Sequence, residues 1–108
     1  MSSSLEKPLV KHSDWYVYLI RMRNNALYCG ITTDVERRYQ QHCNGTGAKA
    51  LKGKGPLILE WHQRVGSSRS DASKVEYQIK QLSKAKKEQI ISGKFVIEHH
   101  IDCTEIIR

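Results

Sequence analysis

A chain of 108 residues is enough for one domain with a modest core, and 18 basic against 11 acidic side chains leave a formal charge of +7. That field attracts polyanions, and because no stretch approaches the roughly 20 apolar residues of a membrane span, nucleic acid is the expected partner and a bilayer is not. Three cysteines, Cys29, Cys43 and Cys103, without a CxxC pair argue against a disulfide framework and a structural zinc site.

Residues 1–13 lack the apolar segment and cleavage site of a signal peptide and read as a mobile lead on a cytoplasmic protein. Trp15 to Ile20 is β-branched and aromatic, Asn24-Asn25 is a turn pair, and Ala26 to Ile31 resumes the apolar character, which predicts a β-hairpin. Alternation puts Tyr16 and Tyr18 on one face, Val17 and Leu19 on the other, and Tyr28 with Gly30 on one face of the return strand. Thr33-Asp34-Val35-Glu36 then fits a capping box opened by the Thr33 hydroxyl. At about 100° per residue, Val35, Tyr39 and His42 share one side of the helix, Arg37 faces the opposite side, and Arg38 lies only about 60° from Val35. A permanent charge beside a core face needs an anion or acceptors to meet it, so Arg38 requires an explanation that the solvated Arg37 does not.

Asn44 to Pro56 holds four glycines and the lysines Lys49, Lys52 and Lys54 and reads as a flexible cationic loop, either a solvated connector or a phosphate contact. It is not a P-loop, because its glycine-to-lysine spacing is one residue too long and Gly55 stands where Ser or Thr belongs. Leu57 to Val65, bounded by Pro56 and Gly66, predicts a third strand, with His62 read as surface or packing. Ser67 to Ser70 offers N-caps for a helix on which Ala72, Val75, Ile79 and Leu82 recur at core spacing. Glu76 edges that stripe, and taken alone it is an exposed carboxylate paired with Lys80 at i+4. Lys84 to Ile91 continues as a helix to a stop at Gly93, and residues 94–108 form a tail or short strand in which His99-His100 is weak as a metal signal.

Tyr16-Val17-Tyr18, then Tyr28-Cys29-Gly30, then Arg38 eight residues past that glycine and His42 four further on resemble the signature of the GIY-YIG nucleases. Leu27 to His42 is especially similar to the small stand-alone bacterial YhbQ-like members, and the likeness runs over roughly residues 14 to 88. Tyr16 stands where the first motif usually has Gly, Cys29 where the second has Ile or Val, and the Asn that some members carry after the metal-binding helix is missing. The resemblance implies an α+β domain over 14–93, a three-stranded antiparallel sheet flanked by helices. It further implies a metal-dependent endonuclease acting on DNA more than RNA, in repair or in processing of branched, nicked or single-stranded forms, with a protein partner left open. Tyr18 is then the general base, Tyr28 a partner that orients water or phosphate, Arg38 the phosphate clamp, His42 a proton relay or phosphate donor, and Glu76 the ligand of one divalent cation, Mg²⁺ or Mn²⁺. Arg and metal near Tyr18 would pull its phenol below the usual value of about 10. Lys49, Lys52 and Lys54 complete the expected nucleic-acid contacts, and the alternative of another class is a nucleic-acid binding module on the same fold.

Overall fold

The alternation of the first hairpin is realised in the computed structural model, which describes residues 14–97, as β1 (Trp15–Arg21) and β2 (Leu27–Thr32) paired antiparallel. Asn25 takes the left-handed backbone at the turn, with φ 73°. β3 (Ile58–Gly66) pairs antiparallel with the other edge of β1, so the strand order is β2-β1-β3. Two register shifts, between Trp15 and Tyr16 and between Leu19 and Ile20, place an extra residue in β3 at Val65 and at Glu60.

Three helices flank this sheet among the described residues: α1 (Val35–Cys43), α2 (Arg69–Lys80) and α3 (Lys84–Ser92). Val17 and Leu19 project to one face, where Cys29, Val75, Ile79, Ile90 and Ile97 close the larger core; Tyr18 and Ile20 project to the other and pack with Leu51 and Leu57. The α+β architecture with a three-stranded antiparallel sheet is therefore the observed one. Gly93 ends α3 at φ 84°, as its position after the last periodic residue predicts.

Two local expectations change. The α1 cap is Asp34 and not Thr33: Asp34 is extended, and its Oδ1 accepts the Arg37 N–H at 3.1 Å, while its own N–H donates to Thr32 Oγ1. The Gly/Lys loop is tied down, because Leu51, 1 % exposed, plugs the smaller core from a 3₁₀ turn over Lys49–Leu51. Many of its backbone amides, those of residues 44, 45, 46, 48, 51, 52 and 54, are engaged within the protein and so are not free to cradle a phosphate, while the lysine side chains stay exposed. Arg21, unremarkable in the sequence, ties the far end of the sheet together: its guanidinium donates to Glu60 at 2.6 Å and to both oxygens of Glu88 at 2.7 and 2.8 Å. Residues 1–13 and the tail beyond Ile97, with His99, His100 and Cys103, lie outside the described residues, and within them no helix is long and apolar enough to cross a membrane.

Candidate active site

Pairing Tyr18 with Gly30 and Ile20 with Tyr28 puts both tyrosines on the α1 side of the sheet, ring centroids 6.3 Å apart. Gly30 is required there: a Cβ would lie 2.6 Å from Tyr18 Cζ and 3.1 Å from Tyr28 Cε2. α1 brings His42 over the same pair, 2 % exposed, with its ring centroid 5.8 Å from Tyr18 and 5.6 Å from Tyr28. The loop settles the tautomer. The Ala48 N–H donates to His42 Nδ1 at 3.2 Å, which leaves the proton on Nε2, and Nε2–H donates to Tyr18 Oη at 2.8 Å. Gly47 permits this approach, since a Cβ there would collide with the imidazole. Burial, with Arg38 as the smaller cause, pushes the His42 pKa down from 6.5 to about 4, so the ring is neutral at physiological pH.

Tyr18 itself is 2 % exposed, and burial is the main reason its pKa rises to about 12, with Tyr28 adding to the rise. Arg38 pulls the other way, by hydrogen bonding and by charge, as expected, but by itself does not overcome burial; the net lowering is expected from Arg and metal together. His42 is closed behind Tyr18 with both ring nitrogens engaged, one to Tyr18 and one to the Ala48 amide.

Arg38 leans toward the sheet as its helical angle predicts; it is half-buried, and Nη1 donates to Gln41 Oε1 at 2.9 Å. It lines a cleft of about 300 Å³ that Arg37, Arg69 and Trp15 line as well. Arg37 is exposed, as expected, yet it borders this cleft and is no inert neighbour of Arg38. Arg69, the first residue of α2, has its guanidinium 5.5 Å from the centre of the Trp15 indole. Neither Arg69 nor Trp15 stands out as a site candidate in the sequence; the one signal available there is a cation at a helix N-terminus, where the dipole disfavours it.

Glu76 lies on the same flank of α2 as Arg69, about 20° away around the helix axis. Its side chain is 22 % exposed and pairs with Lys80 at 3.2 Å, the i+4 partner foreseen. Its charge also reaches Cys29 on β2: burial first, then Glu76, push the Cys29 thiol up to about 12, which keeps that sulfur protonated and unreactive. No ion pair joins Glu76 to Arg38 among the described residues. A half-buried carboxylate offering only oxygen suits a hard cation such as Mg²⁺. No cluster of three or more His, Cys, Asp or Glu forms among the described residues, so such a cation would complete its shell with water and phosphate oxygens. Lys49, Lys52 and Lys54 stay exposed on the loop that holds His42. Tyr16, at the usual glycine position, is accommodated by edge-on packing with His62, centroids 6.2 Å apart.

Residues 14–89 match the model of the GIY-YIG catalytic domain. A UPF0213 protein of Vibrio cholerae is 60 % identical over 81 residues, covering 75 % of this chain and 80 % of that one. The UPF0213 protein YhbQ of Salmonella typhimurium is 56 % identical over 84 residues, covering 78 % and 83 %. Among solved structures, the solution NMR structure of the protein EF2693 from E. faecalis superposes with a TM-score of 0.52 at 32 % identity, covering 81 % of this chain and 92 % of that one. With the tyrosine pair, the glycine beneath it and the helix-borne Arg and His in the expected places, and with the domain match spanning most of its length, the chain belongs to the GIY-YIG family, alongside the small stand-alone YhbQ-like proteins.

Proposed function

We propose that this protein is a metal-dependent endonuclease that hydrolyses phosphodiester bonds in DNA. The observation that carries the reading is the set of groups around one hydroxyl: Tyr18 Oη receives a hydrogen bond from neutral His42, has the Arg38 guanidinium beside it, and is flanked by Tyr28. In hydrolysis a water oxygen attacks phosphorus, the water proton passes to the Tyr18 phenolate, the ester bond breaks, and its electron pair leaves on the departing oxygen, which takes a proton from solvent. His42 holds Tyr18 in place and favours the phenolate by donating to it. Arg38 meets charge that grows on the phosphoryl oxygens, and Tyr28 orients the attacking water. Bound by Glu76, Mg²⁺ or Mn²⁺ would supply Lewis acidity to a phosphoryl oxygen. Repair or processing of branched, nicked or single-stranded DNA is the setting proposed.

One observation favours a second reading, a binding module with weak or lost catalysis: Tyr18 is almost closed to solvent and its proton is held to about 12. Single-turnover cleavage of labelled duplex, single-stranded and branched DNA and of an RNA strand, beside equilibrium binding in chelator, separates the two. Arg38→Ala should lose about 10²–10³-fold in rate and far less in binding. Glu76→Ala should lose cleavage while binding in chelator stays level or tightens slightly, since a negative charge has left a basic surface. Exposed Lys74, on the far side of α2 from Glu76, supplies the control substitution. Cutting by Glu76→Ala at the parental rate would sink the site assignment; binding by every variant with no cutting by the parent would establish the module instead.

A further inference from the structure

We propose that the cleft bordered by Trp15, Arg37 and Arg69 is a second nucleotide subsite, next to the phosphate that Arg38 meets. In it Arg37 and Arg69 hold a neighbouring phosphate, and Trp15 stacks on an unpaired base. The inference deepens the nuclease reading and rests on it for the identity of the ligand as nucleic acid.

Charge is the first argument. Three guanidinium groups, those of Arg37, Arg38 and Arg69, border one cleft of about 300 Å³, and like charges gathered there repel unless an anion lies between them. Of the three described arginines outside the cleft, Arg21 is paired with Glu60 and Glu88 and Arg64 with Asp14, while Arg23, on the first turn, reaches only the Gly53 carbonyl. Among the described residues none of the three cleft arginines has a carboxylate partner. The acid in the lining, Asp34, is engaged as the α1 cap.

Position is the second argument. Arg69 opens the twelve-residue α2, where the positive end of the helix dipole opposes a cation, and Asp34 and Arg37 bring the same end of α1 to the cleft. A phosphate between the two ends is attracted by both and by the arginines beside them, which offsets their mutual repulsion. The third argument is the indole. Trp15 is half-buried, lines the cleft and carries Arg69 at 5.5 Å, an arrangement of aromatic plane and guanidinium that matches the stacking surfaces of single-strand binding proteins. Stacking of this kind needs a base outside a duplex, so the preferred ligand is a strand with an unpaired nucleotide beside the cleaved bond.

The protein has two tryptophans, so Trp61→Phe leaves Trp15 as the sole indole reporter. In that background the full chain is titrated, with chelator present, with a short fluorescein-labelled oligothymidylate, alone and annealed to its complement. Anisotropy gives the affinity and Trp15 emission reports the cleft. Trp15 emission should change in step with anisotropy for the single strand. Arg69→Gln should reduce the log–log salt slope for the single strand by about 0.7, the value for one single-strand phosphate that is no longer neutralised. In the parent, Trp15→Leu should weaken the single strand by about 5- to 150-fold and the duplex much less. Lys74→Ala should change neither. Full binding by anisotropy with silent Trp15 and an unaltered slope in Arg69→Gln overturns the subsite and leaves the nuclease reading standing. Absence of binding to either oligonucleotide by the parent overturns both. Circular dichroism of Trp15→Leu checks its fold, and Arg69→Gln, an exposed substitution, keeps the test decisive if Trp15→Leu unfolds.

Discussion

Acid should loosen this fold well before its carboxylates titrate, and His42 is the reason. The folded protein holds the imidazole neutral, lowering its pKa from 6.5 to about 4 by burial first and Arg38 second. Between those values the unfolded chain binds a proton that the native state refuses. The contribution of His42 is therefore fully present above 6.5 and lost as pH falls toward about 4. At about 1.36 kcal/mol per pH unit, moving from about pH 7 to about pH 5 removes about 2 kcal/mol. For a domain of this size, with a urea dependence of about 1–3 kcal/mol/M, the midpoint should fall by about 1 M. Urea titrations followed by far-UV circular dichroism at the two pH values make the comparison. His42→Gln, less stable overall, should show nearly coincident curves, because the titrating group is gone. Glu88 does not confuse the window: Arg21 and then Lys84 hold its carboxyl down to about 2, so its contribution is lost only as pH falls from 4.5 toward about 2. An unchanged parental midpoint, or an equal fall in His42→Gln, would refute the account of the buried imidazole.

With Tyr18 as base and burial raising its pKa to about 12 in the metal-free protein, single-turnover cleavage at saturating Mg²⁺ should rise about tenfold per pH unit up to whatever pKa the metal leaves; a flat profile from neutral pH upward would remove Tyr18 from that role. Gly30→Ala forces a methyl group into the Tyr18 ring, so chemical denaturation should show about 1–3 kcal/mol of destabilisation and cleavage should fall about 10²-fold through misplacement of the hydroxyl. Replacing Lys49, Lys52 and Lys54 together with Ala should flatten the log–log salt dependence of affinity by about 0.9 for each phosphate these lysines neutralise, and an unchanged slope would leave the loop as a support for His42 alone.

The elements that could be read from sequence are those whose signal is periodic. β1 and β2 follow from alternation, and α2 from Ala72, Val75 and Ile79, all buried as their spacing requires. Arg38 could be singled out because its helical angle set a charge against the core, and the half-buried side chain beside Tyr18 explains that placement. The α1 cap was harder, since Thr32, Thr33 and Asp34 can all accept an amide and only the start of helical backbone chooses among them. Leu51, a lone apolar side chain in a run of Gly and Lys, was a local signal that the loop would be anchored. Arg21 with Glu88 had none: 67 residues separate the partners, and only the assembled sheet and α3 bring them together.

Donor and acceptor accounting around Tyr18 links the buried core to the chemistry. The two groups that engage the Tyr18 hydroxyl can only give hydrogen bonds: the Nε2–H of His42, whose Nδ1 is occupied by the Ala48 amide, and the guanidinium of Arg38. Among the described residues none accepts the Tyr18 proton. A neutral phenol buried in such company has an unmet donor, which a phosphate oxygen or a water can satisfy, whereas a phenolate would have its lone pairs met by donors already in place. The fold thus holds the hydroxyl in the protonated form by excluding water and arranges the partners of the deprotonated form in advance. That division explains why His42 must be neutral and Nε2-protonated. It also explains why Gly47 is needed beside the imidazole and why the loop that supplies the Ala48 amide is anchored by Leu51.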